Sequence, residues 1–151
     1  MTHTIPTFSL DEWRSGADEA AAAQHLLEMC HGVGFFYLVD HEVPDGFLQR
    51  YFQLLEQFFA LPEPTKALIA KHQSPHFRGW EQVGAELTNN RVDYREQLDV
   101  SSEHTPYPAD VEPLYLRLDG PNQWLPEHHL PGFHAAVDEF FSRMGAVAWE
   151  L

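Results

Sequence analysis

The chain has 151 residues, and its 23 acidic against 9 basic side chains give a net charge of −14 with histidine neutral. Because nucleic acids and anionic membranes are bound by clustered Lys and Arg, this excess of acid argues against both as partners. The length and the apolar fraction of 44% predict one domain with a packed core rather than a disordered chain.

The first predicted elements follow one another closely. Residues 5–8 alternate weakly between apolar and polar, which predicts a short extended segment. The Ser9-x-x-Glu12 spacing is that of a capping box and predicts a helical turn directly afterwards. From Ala17 onward apolar residues recur at helical spacing, so a long helix is expected over 16–31.

An apolar run and a second helical pattern come next. Residues 35–39 are consecutive apolar residues rich in aromatic and β-branched types, which predicts a buried strand. Apolar positions at helical spacing then predict a long helix over 45–59, and Pro62 ends it. Residues 63–71 are expected to hold one more short helix.

The second half of the sequence is less regular. Glycines and prolines within 73–90 predict an irregular excursion with brief strands, and a short buried strand is expected over 95–100. Six prolines within 105–131 argue against long regular elements there and favour an extended path over the surface. A final helix is predicted over 132–151. It shows no stop signal, so the chain is expected to be cut within this element.

The single cysteine, Cys30, cannot form an internal disulfide, and the lack of a C-x-x-C pair argues against thiolate zinc sites and dithiol redox motifs. We expect Cys30 to be a buried small apolar residue. The N-terminus lacks the basic flank and apolar stretch of a signal peptide, and no apolar run is long enough to cross a membrane. The sequence therefore predicts a soluble, cytoplasmic protein.

Motifs for phosphate binding and acyl transfer are missing from the sequence. Gly32-Val33-Gly34 lacks the third glycine of a dinucleotide loop and precedes a predicted strand, so it favours a helix-to-strand turn. Neither a G-x-S-x-G elbow nor a Walker phosphate loop occurs.

Ten histidines in an acidic chain suggest a metal site, because imidazole and carboxylate ligands suit zinc and iron. No histidine has a carboxylate two residues later, so the His-x-Asp or His-x-Glu pair of a catalytic iron site is absent. His128, His129 and His134 beside Glu127 remain candidates for a weak surface site. Solvated histidines are the preferred interpretation, and we predict no metal ligands in this chain.

Charged residues cluster around the strand that is predicted near residue 97. For Asp93, Arg95, Glu96 and Asp99 we predict structural ion pairs rather than acid–base chemistry, and no catalytic residue is assigned. His41, at the turn after the apolar run, is expected to be a hydrogen-bonded structural histidine.

Several segments together resemble a known family in the order in which they occur. The segments are Ile5-Pro6 with Leu10, Gly34-Phe35-Phe36-Tyr37-Leu38-Val39-Asp40-His41-Glu42-Val43-Pro44, Phe58-Phe59-Ala60-Leu61-Pro62, Arg78-Gly79-Trp80, Asp93-Tyr94-Arg95-Glu96 with Leu98-Asp99-Val100, Gly120-Pro121-Asn122-Gln123-Trp124-Leu125-Pro126 and Pro131-Gly132-Phe133. They are similar to the N-terminal domain of the 2-oxoglutarate- and iron(II)-dependent dioxygenases of the isopenicillin N synthase-like family. One departure is Glu42, where the family usually has Gly, and it leaves the geometry of this turn open.

The resemblance implies an α+β fold for residues 1–151: a helix-rich N-terminal domain with a few short strands. Such a domain normally packs against and extends a C-terminal double-stranded β-helix, or jelly-roll, core, which this sequence lacks. The full-length parent would use Fe(II) and 2-oxoglutarate to oxidise a small-molecule substrate. The iron ligands and the Arg-x-Ser that holds 2-oxoglutarate lie in that core, so this chain alone is expected to bind neither cofactor and to be inactive.

The resemblance also suggests which residues line the substrate entrance. Similar positions in the family face the substrate, so Arg78, Trp80 and Glu86 are predicted to bind it. The alternatives are an ion-paired arginine, a core tryptophan and a solvated glutamate.

The final helix has an apolar stripe that is expected to pack against the jelly-roll core and to be exposed without it. The stripe consists of Phe133, Val137, Phe140, Met144 and Leu151. A rival interpretation of the whole chain is a free-standing, non-catalytic acidic binding module.

Overall fold

The computed structural model describes residues 4–151. They form two compact units: one runs to Asp45 and includes Trp149–Leu151, and the other is Gly46–Ala148. That residues 1–151 constitute one domain stays a prediction.

The described residues combine helices with a few short strands, which confirms the predicted α+β class at this level. The helices are α1 (Leu10–Ser15), α2 (Glu19–Gly32), α3 (Asp45–Ala60), α4 (Glu63–Lys66) and α5 (Phe133–Glu150). The strands are β1 (Thr7–Ser9), β2 (Tyr37–Val39), β3 (Gly79–Glu81), β4 (Leu87–Thr88), β5 (Arg91–Val92) and β6 (Gln97–Asp99). Short 3₁₀ turns occur at Ala67–Ile69, Lys71–Gln73 and Leu114–Leu118.

In the first unit, β1 and β2 form a parallel pair in which Phe8 lies opposite Leu38. The Ser9 hydroxyl accepts a hydrogen bond from the Glu12 amide at 3.3 Å, so the predicted cap at the start of α1 is confirmed. The Phe8 side chain is buried, and its ring meets Phe36 edge-on at 5.9 Å.

The prediction of a buried strand at 35–39 is wrong in its extent and its burial. Only Tyr37–Val39 are in the strand, and the side chains of Phe35 and Tyr37 are 57% and 60% exposed. The physical reason is that β2 pairs with β1 alone in the described chain. Side chains alternate between the faces of a strand, so a sheet covered on one face leaves every second residue in solvent.

The prediction that Cys30 is buried is also wrong, because Cys30 is exposed on α2. On this helix Met29 is buried, whereas Leu27 is 48% exposed. Residues 20–23 of α2 are all alanine, so the helix has no strongly one-sided apolar stripe. The apolar spacing therefore predicted a helix correctly without identifying its buried face.

In the second unit, α3 and α5 pack through aromatic side chains. The rings of Phe58 and Phe133 are stacked at 5.2 Å, and those of Tyr51 and Phe140 at 4.2 Å. The expectation that the α5 stripe is exposed is therefore wrong for Phe133, which is 3% exposed, since α3 covers it.

Two other members of the stripe differ from each other in exposure. Val137 is 1% exposed, which also contradicts the expected exposure, whereas Leu151 is 43% exposed. An apolar face predicted to need a second domain is thus largely covered by this chain's own helix.

The segment between α4 and α5 is irregular, as predicted. β3 pairs with β6 in antiparallel fashion, so the strand expected over 95–100 is present but shorter and only half-buried. β4 and β5 form a hairpin whose turn residues, Asn89 and Asn90, have φ of 52° and 60°. Positive φ at both central residues is typical of a two-residue hairpin turn, which asparagine tolerates.

Candidate functional site

A buried lysine lies at the centre of the candidate site. Lys71 is 8% exposed, and its Nζ lies 2.8 Å from Glu86 Oε1 and 3.1 Å from Asp99 Oδ2. It also forms an ion pair with Glu81. The ring of Phe77 lies 4.2 Å from the ammonium group, within cation–π range. We call Lys71, Glu81, Glu86, Asp99, Arg95 and Gln97 the Lys71 cluster.

Gln97 and Arg95 complete the hydrogen bonds of this cluster. Gln97 Nε2 donates to Glu86 Oε1 at 2.8 Å and to Asp99 Oδ2 at 3.2 Å, while Arg95 Nη2 donates to Glu86 Oε2 at 2.6 Å. Both carboxylate oxygens of Glu86 are therefore engaged. The β3–β6 register places Glu81 opposite Gln97, which explains how residues far apart in sequence converge here.

The electrostatics of the cluster keep its central groups charged. Burial opposes the charge of Lys71, but hydrogen bonds from Lys71 to Glu81, Glu86 and Asp99 outweigh it and raise the pKa of Lys71 above its ordinary value. The hydrogen bond from Lys71, followed by that from Arg95, lowers the pKa of Glu86 to about 2. Neither central group is poised to exchange a proton near neutral pH, so the cluster is suited to positioning rather than to acid–base catalysis.

Of the three predicted substrate residues, Glu86 belongs to this cluster and Arg78 does not. Arg78 Nη1 donates to the His76 carbonyl at 2.7 Å, and Nη2 donates to the Leu118 carbonyl at 3.2 Å. Its Nε is buried, and none of the described residues accepts a hydrogen bond from it. In this chain the guanidinium therefore joins two loops.

Trp80 takes part in a neighbouring network. Its side chain is 5% exposed, and Nε1 donates to Glu96 Oε1 at 2.7 Å. The same carboxylate pairs with Lys66, whose Nζ also donates to the Phe59 carbonyl at 2.8 Å and lies 5.5 Å from the Trp80 ring. Lys66 thus connects the end of α3 to Glu96 and Trp80.

A cavity of about 200 Å³ lies beside the Lys71 cluster. Its walls include Ala70, Lys71, Trp80, Glu81, Gln82 and Ala85. The cavity therefore brings one predicted residue, Trp80, together with the buried lysine that sequence reasoning missed. One signal in the sequence could have indicated that Lys71 has charged partners. It directly follows the apolar residues Ile69 and Ala70, and burying an unpaired lysine there would be costly in free energy.

The ion pairs that were predicted around residue 97 are confirmed. Arg95 pairs with Glu86, Glu96 with Lys66 and Asp99 with Lys71.

His41 also has the predicted structural role. Its Nδ1 accepts a hydrogen bond from the Val43 amide at 3.1 Å, which fixes the turn after β2.

The motif at 120–124 fixes the proline-rich segment. Asn122 Oδ1 accepts from the Ser101 amide at 2.9 Å, and Nδ2 donates to the Ser101 carbonyl at 2.7 Å. Gln123 Nε2 donates to the Arg78 carbonyl at 2.7 Å, and Trp124 Nε1 donates to Glu103 Oε1 at 2.8 Å. The polar side chains of the motif are thus used to hold the backbone of the excursion in place.

Glycine is required at two contacts of this scaffold. A Cβ on Gly120 would lie 2.4 Å from the His76 ring. Gly79 has φ of +118°, and a Cβ there would lie 2.2 Å from the Ile69 carbonyl oxygen. A larger residue at Gly79 therefore requires the backbone to shift, and one at Gly120 requires the His76 ring to move.

The described residues do not fit the ligand set of non-haem iron. No group of three or more His, Cys, Asp or Glu within residues 4–151 could hold a metal ion. His134 contacts Asp138 at 3.1 Å and stacks on Trp124 at 4.0 Å, while the rings of His128 and His129 lie 4.1 Å apart. No step of a reaction is therefore assigned to a metal held by these residues.

Comparison with known proteins identifies relatives of this chain. Residues 5–127 match the family described as non-haem dioxygenase in morphine synthesis N-terminal. The chain is 33% identical over 148 residues to the 2-oxoglutarate-dependent dioxygenase frbJ of Dothideomycetidae sp. (strain 11243), covering 98% of this chain and 39% of the relative. It is 30% identical over 141 residues to a 2-oxoglutarate-dependent dioxygenase of Gibberella zeae, covering 93% of this chain and 37% of the relative.

A solved structure shows the same fold. Full-length Neurospora crassa T7H, crystallised with alpha-KG, superposes with a TM-score of 0.73 at 23% identity, covering 97% of this chain and 44% of that chain. The chain spans about two fifths of the length of the curated relatives it matches. Among residues 4–151, the helices are too short or too polar to cross a membrane.

Proposed function

The chain belongs to the non-haem dioxygenase N-terminal family, and on that premise we propose that it is the N-terminal part of an oxidoreductase. The parent enzyme couples 2-oxoglutarate decarboxylation and O₂ activation at non-haem iron(II) to the oxidation of a small organic substrate. The observation that carries this proposal is the family match over 5–127, together with the relative that is 33% identical over 98% of this chain. Fe(II) and 2-oxoglutarate are held by residues outside 1–151 in this proposal, and the metal supplies the oxidation chemistry.

In the same proposal, this part of the enzyme covers one face of the catalytic core and lines the substrate entrance. The support is that the excursion between α4 and α5 is held in a defined shape by buried charges and by the side chains of Asn122 and Gln123. Groups that stay charged and polar side chains that are already paired cost little reorganisation when a ligand arrives. The contribution of this chain is then shape and fixed electrostatics.

The proposed substrate contacts are Arg78, Trp80 and Glu86, as the family resemblance implies. The support is their position on one excursion, with Trp80 in the wall of the cavity beside the Lys71 cluster. To test them, Arg78→Lys and Glu86→Gln are made in the full-length gene product. We expect the KM for the organic substrate to rise while 2-oxoglutarate decarboxylation without substrate keeps its rate, because that rate depends on the core. An unchanged KM in both variants would show that Arg78 and Glu86 do not bind the substrate.

The activity itself is tested by comparing two products of the gene. The reading frame is followed beyond codon 151, and the full-length product and the 151-residue chain are each mixed with Fe(II), ascorbate and 2-oxoglutarate. We expect succinate from the full-length product and none from the chain. Stoichiometric iron binding and succinate formation by the chain alone would contradict the proposal. A stop codon directly after Leu151 would instead favour the free-standing acidic module.

A further inference from the structure

Residues 84–93 form a hairpin that we call the flap. Its backbone hydrogen bonds include two within the hairpin, from the Gly84 amide to the Asp93 carbonyl at 3.0 Å and from the Asp93 amide to the Glu86 carbonyl at 2.9 Å. Its apolar side chains Leu87 and Val92 are 65% and 47% exposed. Apolar burial therefore contributes little to holding the flap in position.

The Glu86 side chain connects the flap to the rest of its unit. It accepts hydrogen bonds from Lys71 Nζ and Gln97 Nε2, each at 2.8 Å. Lys71 is itself fixed by Glu81 on β3 and by Asp99 on β6, which are paired strands outside the flap. The Glu86 carboxylate therefore joins a small hairpin to a buried lysine that the rest of the unit holds in place. Charge-assisted hydrogen bonds of this kind are strong and directional, so they can act as a latch.

The flap also forms part of the wall of the cavity beside the Lys71 cluster. Ala85 of the flap and Gln82 just before it line this cavity of about 200 Å³, and Lys71 and Trp80 line it from the body of the unit. Gly84, at the base of the flap, has φ of +83°. A glycine there allows the backbone rotation that a hinge requires.

We propose that the flap is a hinged gate over this cavity and that the contacts of the Glu86 carboxylate with Lys71, Gln97 and Arg95 hold it shut. Opening separates the Glu86 carboxylate from Lys71, Gln97 and Arg95, and it moves Ala85 out of the cavity wall. The paired strands β3 and β6 stay in place, because Glu81 and Asp99 retain their contacts with Lys71. This gate is a property of the chain itself and does not depend on catalysis.

The test uses a matched pair of variants in the 151-residue chain, with hydrogen–deuterium exchange as the measurement. Glu86→Gln and Glu81→Gln each remove one carboxylate charge next to Lys71 and Gln97, but only Glu86 lies in the flap. The Ala85 amide donates to the Gln82 carbonyl at 3.2 Å, a hydrogen bond that crosses the hinge at Gly84. We expect this amide to exchange about tenfold faster in Glu86→Gln and at the wild-type rate in Glu81→Gln. The amides of α5 are expected to keep their protection in both variants.

The outcomes separate a latch from a general support of the fold. Equal changes at Ala85 in the two variants, or no change in either, would overturn the proposal. So would loss of protection throughout α5 in Glu86→Gln, because Glu86 would then support the whole unit. Limited proteolysis is the second measurement: cleavage within the flap should accelerate in Glu86→Gln and not in Glu81→Gln. Since neither readout needs turnover, failure here leaves the proposed function standing, and the reverse also holds.

Discussion

Two pairs of aromatic residues, one from each compact unit, differ sharply in their burial. In the second unit, the rings of Phe58 and Phe133 stack and are nearly inaccessible to solvent. In the first unit, Phe35 and Tyr37 come from the most apolar run of the sequence and are more than half exposed. The same residue types therefore contribute packing energy at Phe58 and Phe133 and an open surface at Phe35 and Tyr37.

The difference lies in the number of partners that each segment has. α3 and α5 are long helices that face one another, so Phe58 on α3 and Phe133 on α5 are covered by this chain. Within residues 4–151 the strand β2 has one neighbour, β1, and its open face carries Tyr37 and Val39. An apolar run shows that a segment can be buried, while the burial itself depends on what is packed against it.

The largest effect is expected from truncating one phenylalanine in each unit. Phe58→Ala removes a fully buried ring that stacks on Phe133, so the free energy of unfolding should fall by about 3–5 kcal/mol. Phe35→Ala removes a ring that is 57% exposed and should change it by about 1 kcal/mol or less. Urea unfolding of both variants measures the difference. Similar losses of unfolding free energy in Phe58→Ala and Phe35→Ala would contradict the difference in burial between the two residues.

The next effect concerns the polar side chains that hold the second unit together. Asn122→Ala removes hydrogen bonds to both backbone groups of Ser101 and should lower the free energy of unfolding by about 2 kcal/mol. The control is Gln53→Ala, an amide on the exposed face of α3, with an expected change of about 0.5 kcal/mol or less. Equal urea midpoints for the two variants would show that the motif is not a structural support.

These results also indicate what the sequence could predict about the fold. Helical spacing and capping residues are local, so α2, α3, α5 and the Ser9 cap were predicted correctly. Burial depends on distant partners, so the exposure of Cys30 and the covering of Phe133 were missed. The spacing of residues along one helix contains no information about which other helix will cover it.

The candidate site shows the same limit. The ion pairs near residue 97 could be expected because opposite charges alternate there. The buried position of Lys71 could not, because it arises only when β3 and β6 pair and bring Glu81 and Asp99 to one lysine. The family resemblance pointed to Arg78, Trp80 and Glu86, whose proposed role in substrate binding stays a prediction.

The third prediction concerns pH and one carboxylate from each unit. Contact with Lys71, and then with Arg95, lowers the pKa of Glu86 from its ordinary value of 4.5 to about 2. A lowered pKa stabilises the fold fully above 4.5, and this contribution is lost as pH falls towards about 2. Wild type should therefore lose more stability on acidification than Glu86→Gln. The slope of the free energy of unfolding against pH measures the protons taken up on unfolding, and it should differ between the two proteins by up to about one proton.

The counterpart in the first unit is Glu150, whose pKa is lowered by its hydrogen bond with Arg14. Glu150→Gln is expected to act in the same direction and to a smaller extent, since the Glu150 side chain is 39% exposed against 29% for Glu86. Urea unfolding at several values between pH 7 and about pH 2 measures both slopes. Parallel curves for wild type and Glu86→Gln would contradict the lowered pKa.

The smallest effect is expected at the turn after β2, where the resembled family usually has glycine. Glu42 has φ of 57°, a left-handed conformation that costs a non-glycine residue about 1 kcal/mol. Its contact with Arg14 spans 3.6 Å, and its side chain is 78% exposed, so the ion pair offsets little of this cost. Because glycine also gives the unfolded chain more freedom, Glu42→Gly should raise the free energy of unfolding by only about 0.5 kcal/mol.

The matched change is Glu56→Gly on the exposed face of α3, which should lower the free energy of unfolding by about 1 kcal/mol because glycine is unfavourable within a helix. The two variants exchange the same side chain for the same hydrogen, so opposite signs in urea unfolding would isolate the backbone conformation as the cause. If both variants were destabilised equally, strain at Glu42 could not explain the family's glycine. The turn would then be held by its other contacts, among them the hydrogen bond from the Val43 amide to His41.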